Sequence, residues 1–382
     1  MARNAKRTFL NLNKEENPTL ETVEQFWKIV GEKNTTVDTV VEYGAEYQSI
    51  GSPSHIAARM HITRLPDEVL GRYLDGRYPW CLDNFVDSSV SALTYQYLSY
   101  QAWMCVGMIF STFGWHNEPH WSYCVDHLHF GNSKTWYAVP GQYAEKFEET
   151  MKELAPELFE DQPDTLLLHD SLVNPNALME KGVPVYRMDQ NVGEFVITFP
   201  RAYICSFNHG FNVAEAVNFA PADWIKIGRK CVEEYALLKK YCLFSHDELM
   251  FKIAKDAANS DVRLAAAVYH DLYYSIKTEL KLRQFVVGQW GCSKDDHFRF
   301  NFERMPDDRQ CFHCKTTIYL SAVTCKCAID AGIRRMVCIK HYDKLCTTCT
   351  PQNHLLMKDI FQMRCTGFSK TSETWWIIMK NG

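Results

Sequence analysis

Between residues 311 and 349 the chain carries four short pairs of soft ligands: Cys311-x2-Cys314, Cys325-x-Cys327, Cys338-x2-His341 and Cys346-x2-Cys349. No other feature restricts the fold as tightly. Each pair offers two ligands from one turn, and eight such ligands fill two tetrahedral zinc ions with no position left for water. The site is therefore expected to be structural, holding two zinc ions. The preferred pairing is interleaved, with Cys311, Cys314, Cys338 and His341 on one ion and Cys325, Cys327, Cys346 and Cys349 on the other. The competing reading is a group of free buried thiols, which leaves the spacing unexplained.

Seven of the fifteen cysteines lie in this cluster. An odd, clustered set reads as metal ligands rather than as a disulfide framework. The opening stretch, MARNAKRTFLNLNKEENP, has neither an apolar core nor a small-residue cleavage site, so no secretory signal is expected. No apolar run approaches the roughly 20 residues of a membrane helix. These points favour a reducing compartment, cytosol or nucleus, and no membrane partner.

The 382 residues are 46% hydrophobic and 13% aromatic, enough for a sizeable core. A net charge of −5 argues against a chain whose main work is gripping naked nucleic acid, yet is compatible with a local basic patch and a DNA contact. A short amphipathic helix is expected over 20–30 and a strand and turn over 39–47. From residue 103 the pattern turns to short β-branched and aromatic runs bounded by Gly, Pro or Asn: WMCVGMIF, HWSYCVDHLHF, KTWYAV, GEFVITF, AYICSF and VAEAVNF. One helix, 143–159, interrupts them. Irregularly spaced strands with one long insertion predict a barrel or jelly roll rather than βαβ units.

After about residue 221 the period becomes helical. Ser245 and Glu248 form a capping-box signature before one helix, and 261–285 reads as a long one. The expected organisation is an N-terminal lead (1–40), a mainly β barrel with one helix (41–225), a helical domain (226–308), a two-zinc module (309–352) and a C-terminal tail (353–382).

Residues 110–123 read FSTFGWHNEPHWSY, and His116 and Glu118 stand two apart in a run of β-formers. On a strand, positions i and i+2 share a face, so both side chains are expected to enter one pocket. A histidine and a carboxylate so placed are two-thirds of the two-histidine, one-carboxylate iron site. The alternative is a buried hydrogen-bonded pair.

Two blocks, GWHNEPHWSYCVDHLHFGNSKTWYAVPG (114–141) and GEFVITFPRAYICSFNHGFNVAEAVNFAPADW (193–224), followed by helices and the eight-ligand finger, resemble the JmjC-domain histone lysine demethylases. The group resembled is the one that acts on lysine four of histone H3. The resemblance runs from about residue 20 to 350 and implies a double-stranded β-helix, Fe(II), 2-oxoglutarate, a histone H3 or chromatin partner, and the nucleus. In that family the H-x-E pair binds iron and a second histidine follows FPRAY. Here FPRAY spans 199–203 and Ile204 comes next, so the third ligand is expected to be missing. His209, five residues on, should lie on the opposite face of a continuous strand.

The family also implies a 2-oxoglutarate pocket formed by Lys134, Phe113, Asn208 and Tyr43. Cys124 and Asp126 stand where the family usually has serine and asparagine, and Cys105 where close relatives have a tyrosine. An ionised Asp126 is expected to repel a dicarboxylate. The family's JmjN, ARID and PHD modules are not recognisable. The chain reads as a trimmed piece or a short natural relative, the starting methionine and altered pocket favouring the latter. The favoured expectation is a pseudo-demethylase with an incomplete Fe(II) site and very weak 2-oxoglutarate binding; the alternative is an active Fe(II)/2-oxoglutarate-dependent H3 lysine demethylase.

Overall fold

The computed structural model describes residues 20–31, 41, 43–48, 80, 82, 90–96, 102–156, 159, 171–300, 309–333 and 335–359. The chain divides into two compact units, 1–220 and 221–382.

In the first unit the strands are β1 (Tyr43–Gln48), β2 (Trp103–Gly107), β3 (Thr112–His116), β4 (Tyr123–Gly131), β5 (Lys134–Val139), β6 (Tyr186–Gln190), β7 (Phe195–Thr198), β8 (Tyr203–Asn208) and β9 (Asn212–Phe219). They form two antiparallel sheets, ordered β1-β2-β9-β4-β7 and β3-β8-β5-β6. Neighbours in each sheet are far apart in sequence, as the jelly roll requires. The β-rich expectation therefore holds. β6 was not foreseen, because YRMDQ is polar and its first four residues are exposed.

Side-chain alternation divides the second sheet into two faces. One face carries Tyr137, Tyr203, Cys205 and Phe207, which pack with Val23 and Phe26 of α1 (Leu20–Gly31) and with Phe147 and Met151 of α2 (Ala144–Leu154). The Phe26 and Phe207 rings stack at 4.0 Å. α2 ends before Pro156, where the preceding residue avoids helical backbone: Ala155 has φ −142. The other face carries Phe113, His116, Lys134, Trp136, Ile204 and Asn208, and it looks toward the first sheet.

The second unit holds α4 (Trp224–Leu237), α5 (His246–Lys255) and α6 (Val262–Gly288), with the short α3 (Pro175–Glu180) preceding them in the first unit. Ser245 accepts from the Glu248 amide at 3.3 Å, the expected cap of α5. Arg229 of α4 bonds Asp247 of α5 at 2.7 Å and Asp271 of α6 at 2.5 Å, tying three helices together. Burial opposes ionisation of Asp247, but the Arg229 guanidinium outweighs it and holds the carboxyl below its usual range.

A sheet of β10 (Ser293–Phe300), β11 (Ser321–Cys325), β12 (Met336–Cys338) and β13 (His354–Asp359), in the order β10-β13-β11-β12, carries the cysteine cluster; α7 (Lys326–Asp330) follows β11. β10 and β13 lie outside the 309–352 span anticipated for the zinc module, yet both join its sheet.

Candidate functional site

His116 closes β3, and its register partner across the antiparallel pair is Ile204 of β8. Ile204 packs with Trp136 of β5 and with Val196 of β7 in the opposite sheet, so its side chain points into the space between the sheets. It is 6% exposed. The place opposite the histidine is thus filled by a branched hydrocarbon with no lone pair to offer.

Glu118 departs from the strand expectation. It lies beyond the end of β3, where a short 3-10 turn over Pro119–Trp121 begins. Glu118 keeps extended backbone (φ −64, ψ 144), so Nε2 of His116 and its Oε1 lie 4.0 Å apart, and the left-handed His120 (φ 52) and Trp121 (φ 50) turn the chain only after it. The other imidazole nitrogen, Nδ1, sits 2.7 Å from the Gly114 carbonyl. Glu118 is buried and accepts from the Asn218 amide at 2.7 Å. Burial pushes its carboxyl above the usual range, partly offset by hydrogen bonds from Asn218 and Cys124. Burial likewise raises the Cys124 thiol well above its usual range, with Glu118 adding to it.

A facial iron site needs three protein donors. Among the described residues, the only groups of three or more His, Cys, Asp or Glu with ligand atoms within 4.8 Å of one another are the two cysteine-rich sets below. The His116–Glu118 pair belongs to neither, so these residues do not fit the iron centre. His209 lies on the other face, as its odd offset requires. Its Nε2 is 2.5 Å from Thr135 Oγ1 and its ring stacks with Phe207.

The expected co-substrate residues do converge. Phe113, Lys134, Asn208 and Cys105 line one small cavity together with Gly107 and Ser111. Tyr43 pairs with Gly107 along β1; its side chain lies outside the described atoms. A side chain at 107 would collide with the Asn208 amide, which instead donates to Ser111 Oγ at 2.7 Å.

Asp126 does not stand there as a bare anion. Its Oδ2 is 3.3 Å from Lys134 Nζ, its Oδ1 accepts from Gln190 at 2.9 Å, and both charged side chains are buried. The lysine expected to receive a carboxylate already holds one from within the chain. Lys134 also lies over the rings of Trp136 (4.4 Å) and Phe113 (5.4 Å). What remains of the cavity is 10 Å³, room for about one water, whereas ligand pockets start at roughly 300 Å³. Sequence reasoning missed Gln190 and Asn218. Asn218 stood in an alternating β run, a signal that it faces inward; Gln190 sat in a strand that was not recognised.

In the C-terminal unit the interleaved pairing appears as expected. Cys311, Cys314, Cys338 and His341 form one tetrad, and Cys325, Cys327, Cys346 and Cys349 the other. The amides of Cys314 and Cys338 point at Cys311 Sγ, at 3.5 and 3.3 Å. The Thr316 and Thr348 hydroxyls lie 3.0 Å from Cys314 Sγ and 3.2 Å from Cys346 Sγ. Such contacts steady thiolates as metal ligands. The Cys325 and Cys327 sulfurs are 3.0 Å apart, far beyond a disulfide bond. The donors fit zinc.

An antiparallel barrel with an inward H-x-E pair, followed by helices and an eight-ligand finger, is the architecture of the JmjC class. Residues 103–219 match the JmjC domain, hydroxylase; 223–277 match the C-terminal helical domain of lysine-specific demethylase 5; and 311–365 match the C5HC2 zinc finger. The chain is 44% identical to lysine-specific demethylase 5B of Gallus gallus over 362 residues and 41% identical to lysine-specific demethylase 5D of Homo sapiens over 360, each covering 93% of this chain. The three matched segments, in this order, are those of the JmjC-domain lysine demethylase family, in the lysine-specific demethylase 5 group. The chain spans 23% of the length of these two relatives.

Proposed function

We propose that this chain is a chromatin-associated member of its family whose barrel no longer carries out demethylation, and that it acts in the nucleus by binding histone H3 or other chromatin proteins. The observation that carries the reading is the register pairing of His116 with an inward Ile204. Removing one of three donors leaves two, and Fe(II) is already a weak competitor among divalent metals. The internal Asp126–Lys134 pair and the 10 Å³ cavity support the same reading from the co-substrate side. On this view His116 and Glu118 are the remnant of the iron site, and Phe113, Lys134, Asn208 and Tyr43 that of the 2-oxoglutarate pocket. The finger carries one structural zinc ion per tetrad.

The test is turnover of 2-oxoglutarate by the purified chain, supplied with Fe(II) and a trimethyl-lysine-4 H3 peptide. No succinate above a His116→Ala control is expected. Peptide-dependent turnover above that control overturns the reading in favour of an active demethylase.

A further inference from the structure

The net charge of −5 conceals a segregation: between residues 309 and 359 basic side chains outnumber acidic ones. The cations gather at the first zinc knuckle. Phe312, inside the Cys311-x2-Cys314 pair, is 49% exposed. Lys315 Nζ lies 5.2 Å from its ring centre and the Arg335 guanidinium 4.7 Å. The Phe312 amide donates to the Met336 carbonyl at 2.8 Å, next to Arg335, and the Lys315 amide to the Cys311 carbonyl at 2.8 Å. Two positive charges thus flank one exposed ring beside the first candidate zinc tetrad. Among the described residues neither has a carboxylate partner.

A second observation concerns backbone. Lys315 has φ 64, in the left-handed region where glycine is the residue of least strain. Glycine at this position would relieve the backbone.

We propose that this face of the zinc knuckle, centred on Phe312, Lys315 and Arg335, binds the phosphate backbone of duplex DNA. The occupant follows from charge. Two cations with no carboxylate partner among the described residues suit an anionic ladder, and three side chains of this kind offer no donor–acceptor array that could read bases, so the contact is sequence-independent. The inference does not depend on whether the barrel is catalytic.

Binding of the full zinc-loaded chain to a short fluorescent DNA duplex, followed by anisotropy across a salt series, tests it. The key variant is Lys315→Gly, which removes the charge while relieving the backbone, so loss of fold cannot explain its effect. It is expected to keep its zinc, to match or exceed the parent in thermal stability, and to bind duplex several-fold more weakly. Each phosphate contact contributes about −0.9 to the slope of log affinity against log salt. Lys315→Gly should therefore flatten the slope by about 1, and Lys315→Gly with Arg335→Gln by about 2. Lys315→Arg should retain binding. No duplex binding by the parent, an unchanged salt slope in the double variant, or equal displacement of duplex by polyglutamate overturns the proposal; the last would mark the face as a general dock for acidic protein segments.

Discussion

His116 and Ile204 are register partners across the antiparallel β3–β8 pair, and the isoleucine packs inward against Trp136 and Val196. A donor at 204 would arise next to the existing imidazole with no movement of backbone. Ile204→His should therefore create a metal site, though at a cost. Exchanging a buried isoleucine for an imidazole is expected to destabilise the metal-free unit by about 2–4 kcal/mol. Fe(II) or Co(II) should recover part of this, seen as a metal-dependent rise in Tm absent from the parent. A variant whose Tm ignores both metals would mean that residue 204 does not face the pair.

The Asp126–Lys134 pair makes a separate prediction. Removing one partner of a buried ion pair costs about 3–5 kcal/mol, because the other charge is left uncompensated. Asp126→Asn retains an acceptor for Gln190, so the lower end is expected. Urea titration should show this loss in Asp126→Asn and a comparable one in Lys134→Met, with the double variant losing less than the two single variants together. Additive losses would show that Asp126 does not hold Lys134.

Glu118 makes stability depend on pH in a direction opposite to that of most carboxylates. Its folded-state pKa is raised by burial above the usual 4.5, so the native state binds the proton more tightly than the unfolded chain. Its contribution is most favourable in acid and is lost as pH rises from 4.5 through the folded value. Glu118→Gln should remove this component. Urea titrations at pH 5 and pH 7.5 should show the variant gaining on the parent at the higher pH; an identical pH profile would sink the assignment.

For the finger, metal analysis should find about two zinc ions per chain. Cys311→Ser is expected to lose one, and Cys346→Ser the other. Because an apparent binding energy of about 10–16 kcal/mol per structural zinc is also folding energy, each variant should become protease-sensitive in the C-terminal unit. A finger that resists protease after complete chelation would refute a structural metal.

The finger and its pairing were legible because each knuckle is local: two ligands from one turn, whatever surrounds them. The hydrocarbon opposite His116 was legible because Ile204 follows FPRAY directly. The strand-like placement of Glu118 was misread, since β3 ends at His116 and the left-handed His120–Trp121 turn follows. The Asp126–Lys134 pair was missed for another reason. The residues sit on successive strands, yet β4 and β5 belong to different sheets, and sequence separation gives no sign that their side chains meet between them.

β13 lies between β10 and β11, pairing with both, although it is the last strand of the described chain. The tetrads interlock as well: Cys314 reaches Cys338 24 residues on, and Cys327 reaches Cys346 across 19. During synthesis, therefore, one tetrad can close once residue 341 has emerged, while the sheet beneath it still lacks the strand that joins its halves. A chain halted between 341 and 354 would hold its first zinc on an unfinished platform. The final residues of the module act as its closing seam, and a frameshift or stop there should be as damaging as one in the knuckles themselves.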